Sequence, residues 1–175
     1  MAYWKSRGLR GQELEEVINF TNEKYLRNNL ALITKVPTPI KPVQIDDSRH
    51  ITLAFFEKKS TVDYIGVVQG VPVCFDAKEC KVDTFPMMNI HKHQFEYMEN
   101  FEKQGGVAFI IVYYSERNLY YYLRFEKLKE FYLRQERGRK SFCFDEIEED
   151  YIIENSSDMF VHYLEMVKKD VESRE

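Results

Sequence analysis

The sequence predicts a mixed α/β domain, a central sheet with helices on both sides. Three observations carry this. Helical and strand-like patterns alternate along 175 residues with no low-complexity segment, as layered α/β architectures require. Hydrophobic residues make up 44 % of the chain, against 7 Gly and 5 Pro; that is enough apolar material for a core and too little Gly and Pro for a fibrous or low-complexity chain. The run VAFIIVYY at residues 107–114 is apolar for eight positions in succession, as expected of a strand buried on both faces.

Residues 10–27 read as an amphipathic helix. Leu14, Val17, Ile18, Thr21 and Tyr25 recur at helical spacing, while Glu13, Glu16, Glu23 and Lys24 point elsewhere. Residues 30–36 are a short strand. Pro37, Pro39 and Pro42 follow; lacking backbone donors, they bar a central strand and predict an extended, exposed excursion. Residues 51–57 read as its return. Residues 61–68 and 71–78 form a hairpin about Gln69-Gly70, where Gly at the second turn position suits a type I′ turn. Residues 89–103 are helical, with Ile90, Phe95, Met98 and Phe101 apolar, and Gly105-Gly106 stops the helix. Residues 119–125 pair back on 107–114, and packing within that strand accounts for Tyr120-Tyr121-Tyr122. Helices at about 125–136 and 157–171 complete the domain.

Length and composition also bound what the chain does. One domain over 1–175 is expected, with a core at about 10–167, the excursion at about 38–55 and an acidic C-terminal helix and tail at 145–175. The longest apolar run falls far short of the roughly 20 residues that span a membrane. The N-terminus lacks the apolar core of a signal peptide, and three cysteines fit neither a zinc motif nor a disulfide framework. A soluble, cytoplasmic chain without a membrane partner is the expectation. The net charge is −4, yet from Asp145 onward there are 11 acidic and 3 basic residues, so the remainder carries a net +4. A cationic face on that body is compatible with nucleic acid.

The chemistry concentrates in the central hairpin. With a two-residue turn at Gln69-Gly70, residue 68 faces 71, so Asp63 falls opposite Asp76 and Thr61 opposite Lys78. Strand side chains alternate between faces, which brings these four groups to one face. Tyr64, Val71, Val73, Phe75 and Ala77 occupy the other, a core face. Two carboxylates opposed at about 5 Å repel. A shared proton, a cation or solvent exposure must offset that cost, and a divalent metal is the natural answer, since Mg²⁺ needs only one or two protein carboxylates and keeps several waters. Lys78 beside it is positioned to stabilise developing negative charge. The bland alternative is a solvated face with a cross-strand ion pair worth under about 1 kcal/mol. His91 and His93, two apart on a helix, are expected to point apart and not to share a metal.

An acidic residue followed, about a dozen residues on, by Asp76-Ala77-Lys78 resembles the PD-(D/E)xK nuclease motif. Six blocks in order extend the likeness: RGQELEE at 10–16, KVPTPI at 35–40, KKSTVDYIG at 58–66, CFDAKE at 74–79, FPMMNIHKHQ at 85–94 and GRKSF at 138–142. Together they resemble the RecU family of Holliday junction resolvases, also described as penicillin-binding-protein-related factor A. The resemblance implies a restriction-endonuclease-like fold, a mixed central sheet flanked by helices with a protruding β stalk. It implies a homodimer that nicks four-way junction DNA symmetrically in recombination and repair, using Mg²⁺ (or Mn²⁺), with recombination proteins as further partners. Carried over by position, Thr61, Asp63, Asp76 and Gln94 form the metal site, Lys78 acts on the transition state, and Glu15 completes the site from the first helix. The excursion at 38–55 matches a stalk that enters the junction centre, carrying Lys41, Arg49 and His50. Arg7, Arg10, Arg137, Arg139 and Lys140 are further candidates for contacting DNA phosphates. Position 76 is Asp where Glu is common in the family, a shorter reach to metal. The rival readings are a duplex endonuclease of the same fold and a non-catalytic DNA-binding module.

Overall fold

The computed structural model describes residues 10–56, 61–154 and 161–174. Among the described residues, four α-helices, α1 (Arg10–Arg27), α2 (Lys92–Lys103), α3 (Phe125–Arg134) and α4 (Leu164–Glu172), accompany ten strands. Six of these, β1 (Ala31–Lys35), β4 (Tyr64–Val68), β5 (Val71–Cys80), β7 (Val107–Tyr114), β8 (Leu119–Arg124) and β10 (Ile152–Ile153), form one sheet in the order β1-β4-β5-β7-β8-β10. β5 and β7 are parallel and the other pairings antiparallel. The parallel pair needs a crossover, and α2 supplies it. The architecture is thus a mixed sheet between helical layers. Among the described residues no helix is long and apolar enough to cross a membrane.

The hairpin register follows from its turn. Gln69 and Gly70 both have positive φ, 48° and 90°, the requirement of a type I′ turn. The ladder runs from Val68↔Val71 to Tyr64↔Phe75. Gly66 is required on the other edge: a Cβ there would stand 2.1 Å from the Leu32 carbonyl oxygen of β1.

Consecutive residues Val73, Cys74, Phe75 and Asp76 are all fully buried, so both faces of β5 are covered. This corrects the expectation of one core face with the charged groups opposite it. On one face, aromatic rings stack strand to strand: Tyr64 on Phe75 and Phe75 on Phe109, each at 4.7 Å, and Phe109 on Tyr122 at 4.3 Å. Tyr163, just before α4, packs against Phe75 and Phe109 and meets Tyr25 of α1 edge-on. The acidic C-terminal region is therefore partly core, with Val161, Tyr163 and Val167 buried. Tyr120, Tyr121 and Tyr122 are buried on β8. Packing of α2 against β5 and β7, and of α3 against β7 and β8, covers the other face, with Phe95 meeting Phe125 between the two helices.

The proline-rich excursion is a separate hairpin, β2 (Ile40–Ile45) with β3 (Ile51–Phe56), its strands pairing with each other and, among the described residues, with no other strand. Pro42 sits inside β2 next to a register shift, where a missing donor is tolerated. Ile45, Phe55 and Phe56 are exposed on it. Two short strands the sequence reading lacked, β6 (Thr84–Pro86) and β9 (Ser141–Cys143), pair with each other. The helix read at 89–103 starts later, at Lys92, after a 3₁₀ turn at Met87–Asn89. The start of the helix read at 157–171 falls partly on residues 155–160, outside the described residues; α4 itself begins at Leu164.

The aromatic stack couples four strands, so truncating its middle member should be costly. Phe109→Ala is expected to lower unfolding free energy by about 3–5 kcal/mol, read from urea denaturation. A loss under about 1 kcal/mol would mean the stack does not bear on stability in this way.

Candidate active site

At the open end of the central hairpin the ladder stops at Tyr64↔Phe75. The next residue, Asp63, turns its N–H to the Asp76 side chain, donating to Oδ1 at 2.8 Å. In return, the Ala77 N–H donates to Asp63 Oδ2 at 3.0 Å. Each aspartate thus accepts from the backbone of the opposite chain segment. A second anchor holds the bend: the Val36 N–H, just beyond β1, donates to the Asp63 carbonyl at 2.8 Å. The expected Asp63–Asp76 juxtaposition is present. The regular Thr61–Lys78 pairing is not, because this bend takes the chain out of the ladder; Thr61 is half-buried beyond it.

These two bonds use Asp76 Oδ1 and Asp63 Oδ2. Among the described residues, Asp76 Oδ2 is buried without a hydrogen-bond partner. Lys78 Nζ lies 3.3 Å away, within ion-pair range but off hydrogen-bond geometry. Burial pushes the Asp76 carboxyl up to about 6, with Lys78 pulling it back and Asp63 adding to the rise. A buried carboxylate oxygen with no donor, beside a second carboxylate, is the donor set a hard divalent cation takes. The residues present fit such an ion.

The other predicted residues are placed as follows. Gln94 is buried at the start of α2, where its Oε1 accepts the His91 N–H at 3.1 Å; a carbonyl oxygen retains a second lone pair after that bond. Glu15, on α1, accepts from Lys35 Nζ at 2.7 Å. Its backbone carbonyl lies 3.4 Å from the Tyr64 hydroxyl, and Tyr64 immediately follows Asp63. Lys41 and Arg49 are exposed on the β2–β3 hairpin, Arg49 with φ of 64° at its tip. There the Asp46 carboxylate accepts the His50 N–H at 2.8 Å, so it serves the turn. Arg137 and Lys140 are exposed. Arg139 is half-exposed and paired with Glu146. Arg7 lies outside the described residues, as does the side chain of Arg10.

One reading is overturned. The rings of His91 and His93 stack, with centroids 5.5 Å apart. The helix starts at Lys92, so His91 is an extended N-cap at φ −75°, ψ 147°, and helical geometry does not separate the pair.

Sequence reasoning also passed over a second group. Cys143, Asp145 and Glu146 bring ligand atoms within 4.8 Å of one another. Glu146, however, already accepts from Arg134, Arg139 and the Cys143 N–H. Two guanidinium charges on that carboxylate oppose a cation, whereas Asp76 Oδ2 has no such competitor beyond Lys78.

With this geometry in view, the likeness to known proteins can be stated. The family model described as "Recombination protein U" matches residues 9–169. Holliday junction resolvase RecU of Pediococcus pentosaceus is 39 % identical over 173 residues, covering 95 % of this chain and 86 % of that protein. Holliday junction resolvase RecU of Lactococcus lactis subsp. lactis is 41 % identical over 168 residues, covering 93 % and 78 %. A solved structure of Hjc, a Holliday junction resolvase from Archaeoglobus fulgidus, covers 67 % of this chain and 74 % of its own at 12 % identity and a TM-score of 0.41, too slight a likeness to argue from. A match spanning most of the chain, together with relatives near 40 % identity, means that the chain belongs to the RecU family.

Proposed function

We propose that this chain is a Holliday junction resolvase, a divalent-metal-dependent endonuclease that acts as a homodimer and nicks four-way DNA junctions symmetrically. The observation that carries the catalytic reading is Asp76 Oδ2, buried and without a hydrogen-bond donor beside Asp63 and Lys78. Family membership and the names of the relatives support the choice of substrate.

Asp63 and Asp76 hold the ion, Mg²⁺ or Mn²⁺, with Thr61 and Gln94 as further oxygen donors. When bound, it supplies a coordinated water of lowered pKa and neutralises a phosphodiester oxygen. The chain's own part is positioning. The two backbone N–H bonds fix both aspartates, so little reorganisation accompanies the reaction. Lys78, only 18 % exposed, presents its ammonium to the charge that builds on the phosphoryl oxygens as water attacks phosphorus in line. No covalent enzyme intermediate is required. The β2–β3 hairpin suits the stalk role: it projects Lys41 and Arg49 for phosphates, with Phe55 and Phe56 exposed to pack on bases at an open centre. A two-fold dimer would match two such sites to a two-fold junction.

Asp76→Asn and Lys78→Ala should each lower nicking of a synthetic immobile junction by at least about a hundredfold, while gel-shift binding of the junction persists. Native nicking that survives EDTA would defeat the metal assignment. Equal cleavage of linear duplex and junction would favour a duplex endonuclease instead.

The carboxylate pair also gives a stability signature. A folded-state pKa raised from 3.8 to about 6 means that Asp76 favours the folded state below pH 4 and that this contribution is lost as pH rises toward 6. In metal-free buffer, the melting temperature of Asp76→Asn relative to the native chain should therefore climb between about pH 4 and pH 6.5. Mg²⁺ should raise the native melting temperature at pH 7.5 and leave the variant unmoved. A difference independent of pH would contradict the burial of an ionised Asp76.

A further inference from the structure

The block GRKSF at 138–142 is not part of the carboxylate site. Gly138, Arg139 and Lys140 lie between α3 and β9, after a 3₁₀ turn at Gln135–Arg137, and Gly138 takes φ of 93°. Topology fixes the end of the sheet that this turn occupies. β5 and β7 are parallel, so α2 runs back between them and begins at the carboxyl end of β5. That half of β5 carries Asp76 and Lys78. The basic turn is fastened to the segment that enters α2. Ser141 pairs with Pro86, the Phe142 ring stacks on Phe85 at 5.0 Å, and the Lys140 carbonyl accepts the Met87 N–H at 3.0 Å. Arg137, Arg139 and Lys140 therefore stand at the end of the sheet where open α/β sheets receive ligands. Exposed cations elsewhere, Arg27, Lys81, Lys92, Lys103 and Lys168 among them, each pair with a carboxylate. Arg137 and Lys140 are exposed and have no such partner among the described residues.

Arg139, between them, is held. It donates to Glu146, which also accepts from Arg134 and, at 2.9 Å, from the Cys143 N–H. Arg134 is fixed in turn: it donates to the Ser141 carbonyl at 2.9 Å and lies over the Phe131 ring. Glu146 is thus anchored from α3 and β9 and is only 22 % exposed, while Arg139 is 51 % exposed. Arg134 and Arg139 share the one carboxylate, so the trio keeps a net positive charge. One amino group of Arg139 meets Glu146; a guanidinium has five N–H donors, which leaves the rest of the fork for a ligand. A free arginine gives up several rotamers when it binds, and one already oriented gives up fewer. We propose that the 137–140 turn contacts the phosphate backbone of a junction arm, and that Glu146 is a positioning residue that holds Arg139 toward it. This rests on the nuclease reading above. A carboxylate beside a phosphate site repels the ligand, so the benefit of Glu146 there is geometric.

Glu136, exposed on the same turn, provides the control, because Glu136→Gln and Glu146→Gln each remove one negative charge. Charge alone would make both variants bind DNA more tightly. Positioning by Glu146 requires opposite signs. Binding of a synthetic junction is measured in EDTA across a salt series, and kcat and KM are measured under Mg²⁺. Glu136→Gln should lower Kd, whereas Glu146→Gln should raise it by about threefold to tenfold. Arg139→Gln should raise Kd about tenfold and reduce the slope of log K against log salt by about one, the mark of one lost phosphate contact. The double variant Glu146→Gln/Arg139→Gln should bind no worse than Arg139→Gln alone, since Glu146 acts through Arg139. KM should follow Kd, with kcat at saturating junction within about twofold of native. Tighter binding by Glu146→Gln, an unchanged salt slope in Arg139→Gln, or no effect of Glu136→Gln overturns the proposal; so does a fall in kcat at unchanged Kd. If Glu146→Gln does not fold, Arg139→Lys decides. It keeps the charge and loses the fork, so the salt slope should stay native while Kd rises about threefold; native values of both overturn the positioning role. A native chain that binds the junction and fails to nick it under Mg²⁺ overturns the nuclease reading itself, a result distinct from any of these.

Discussion

Two aspartates facing each other across a β-hairpin should drive it apart, and the rest of the site depends on how that repulsion is contained. Asp63 and Asp76 each accept the N–H of the other's segment. These are bonds between an ionised acceptor and a backbone donor, stronger than neutral ones. They convert an electrostatic liability into a clamp. The strand pairing breaks at this point, and the bend that results turns one carboxylate against the next. What the clamp does not satisfy is Asp76 Oδ2, and that unsatisfied oxygen gives the arrangement its chemical direction.

Holding such a group buried requires a platform that does not relax around it. A fully covered β5 supplies one. Parallel pairing with β7 runs from Val73↔Val107 to Cys80↔Tyr114, past both Asp76 and Lys78. Beneath it the stacked rings of Tyr64, Phe75, Phe109 and Tyr122 join four strands, and Tyr163 seals them from the far end of the chain. Close-packed interiors transmit strain and do not absorb it. The Lys78 ammonium 3.3 Å away offsets part of the cost of a charge held in such a place, and a bound cation would offset more of it. The β2–β3 hairpin is the opposite case. Among the described residues it pairs only with itself, and it is exposed along both strands, suited to contacting something outside the molecule.

Much of this was legible in the linear order of residues. The turn at Gln69-Gly70 sets a register that any reader can count, and strand alternation then assigns faces. Three prolines within six positions exclude a central strand, and the structure has a self-paired hairpin there. The apolar run at 107–114 is the doubly buried strand it promised to be. These inferences succeed because each depends on neighbours in sequence or on a period of two or 3.6. A local rule fails beyond the boundary of its element: helical spacing does not reach His91, because the helix begins one residue later, and strand alternation does not reach Thr61, because the ladder ends at Tyr64. The short strands β6 and β9 are three residues each, too brief to show periodicity.

By itself, then, the sequence determined the hairpin register, the type and order of the main elements, and the kinship that six ordered blocks express. Tertiary structure alone decided that α2 packs against β5 and β7, and that Asp76 is buried and its carboxyl shifted upward by that burial. It also decided that Lys35 reaches Glu15 across 20 residues and that Tyr163 from the C-terminal region completes the core under Phe75. The division has one cause. Local pattern constrains which face a side chain takes, but burial and long-range pairing depend on what another part of the chain brings to that face.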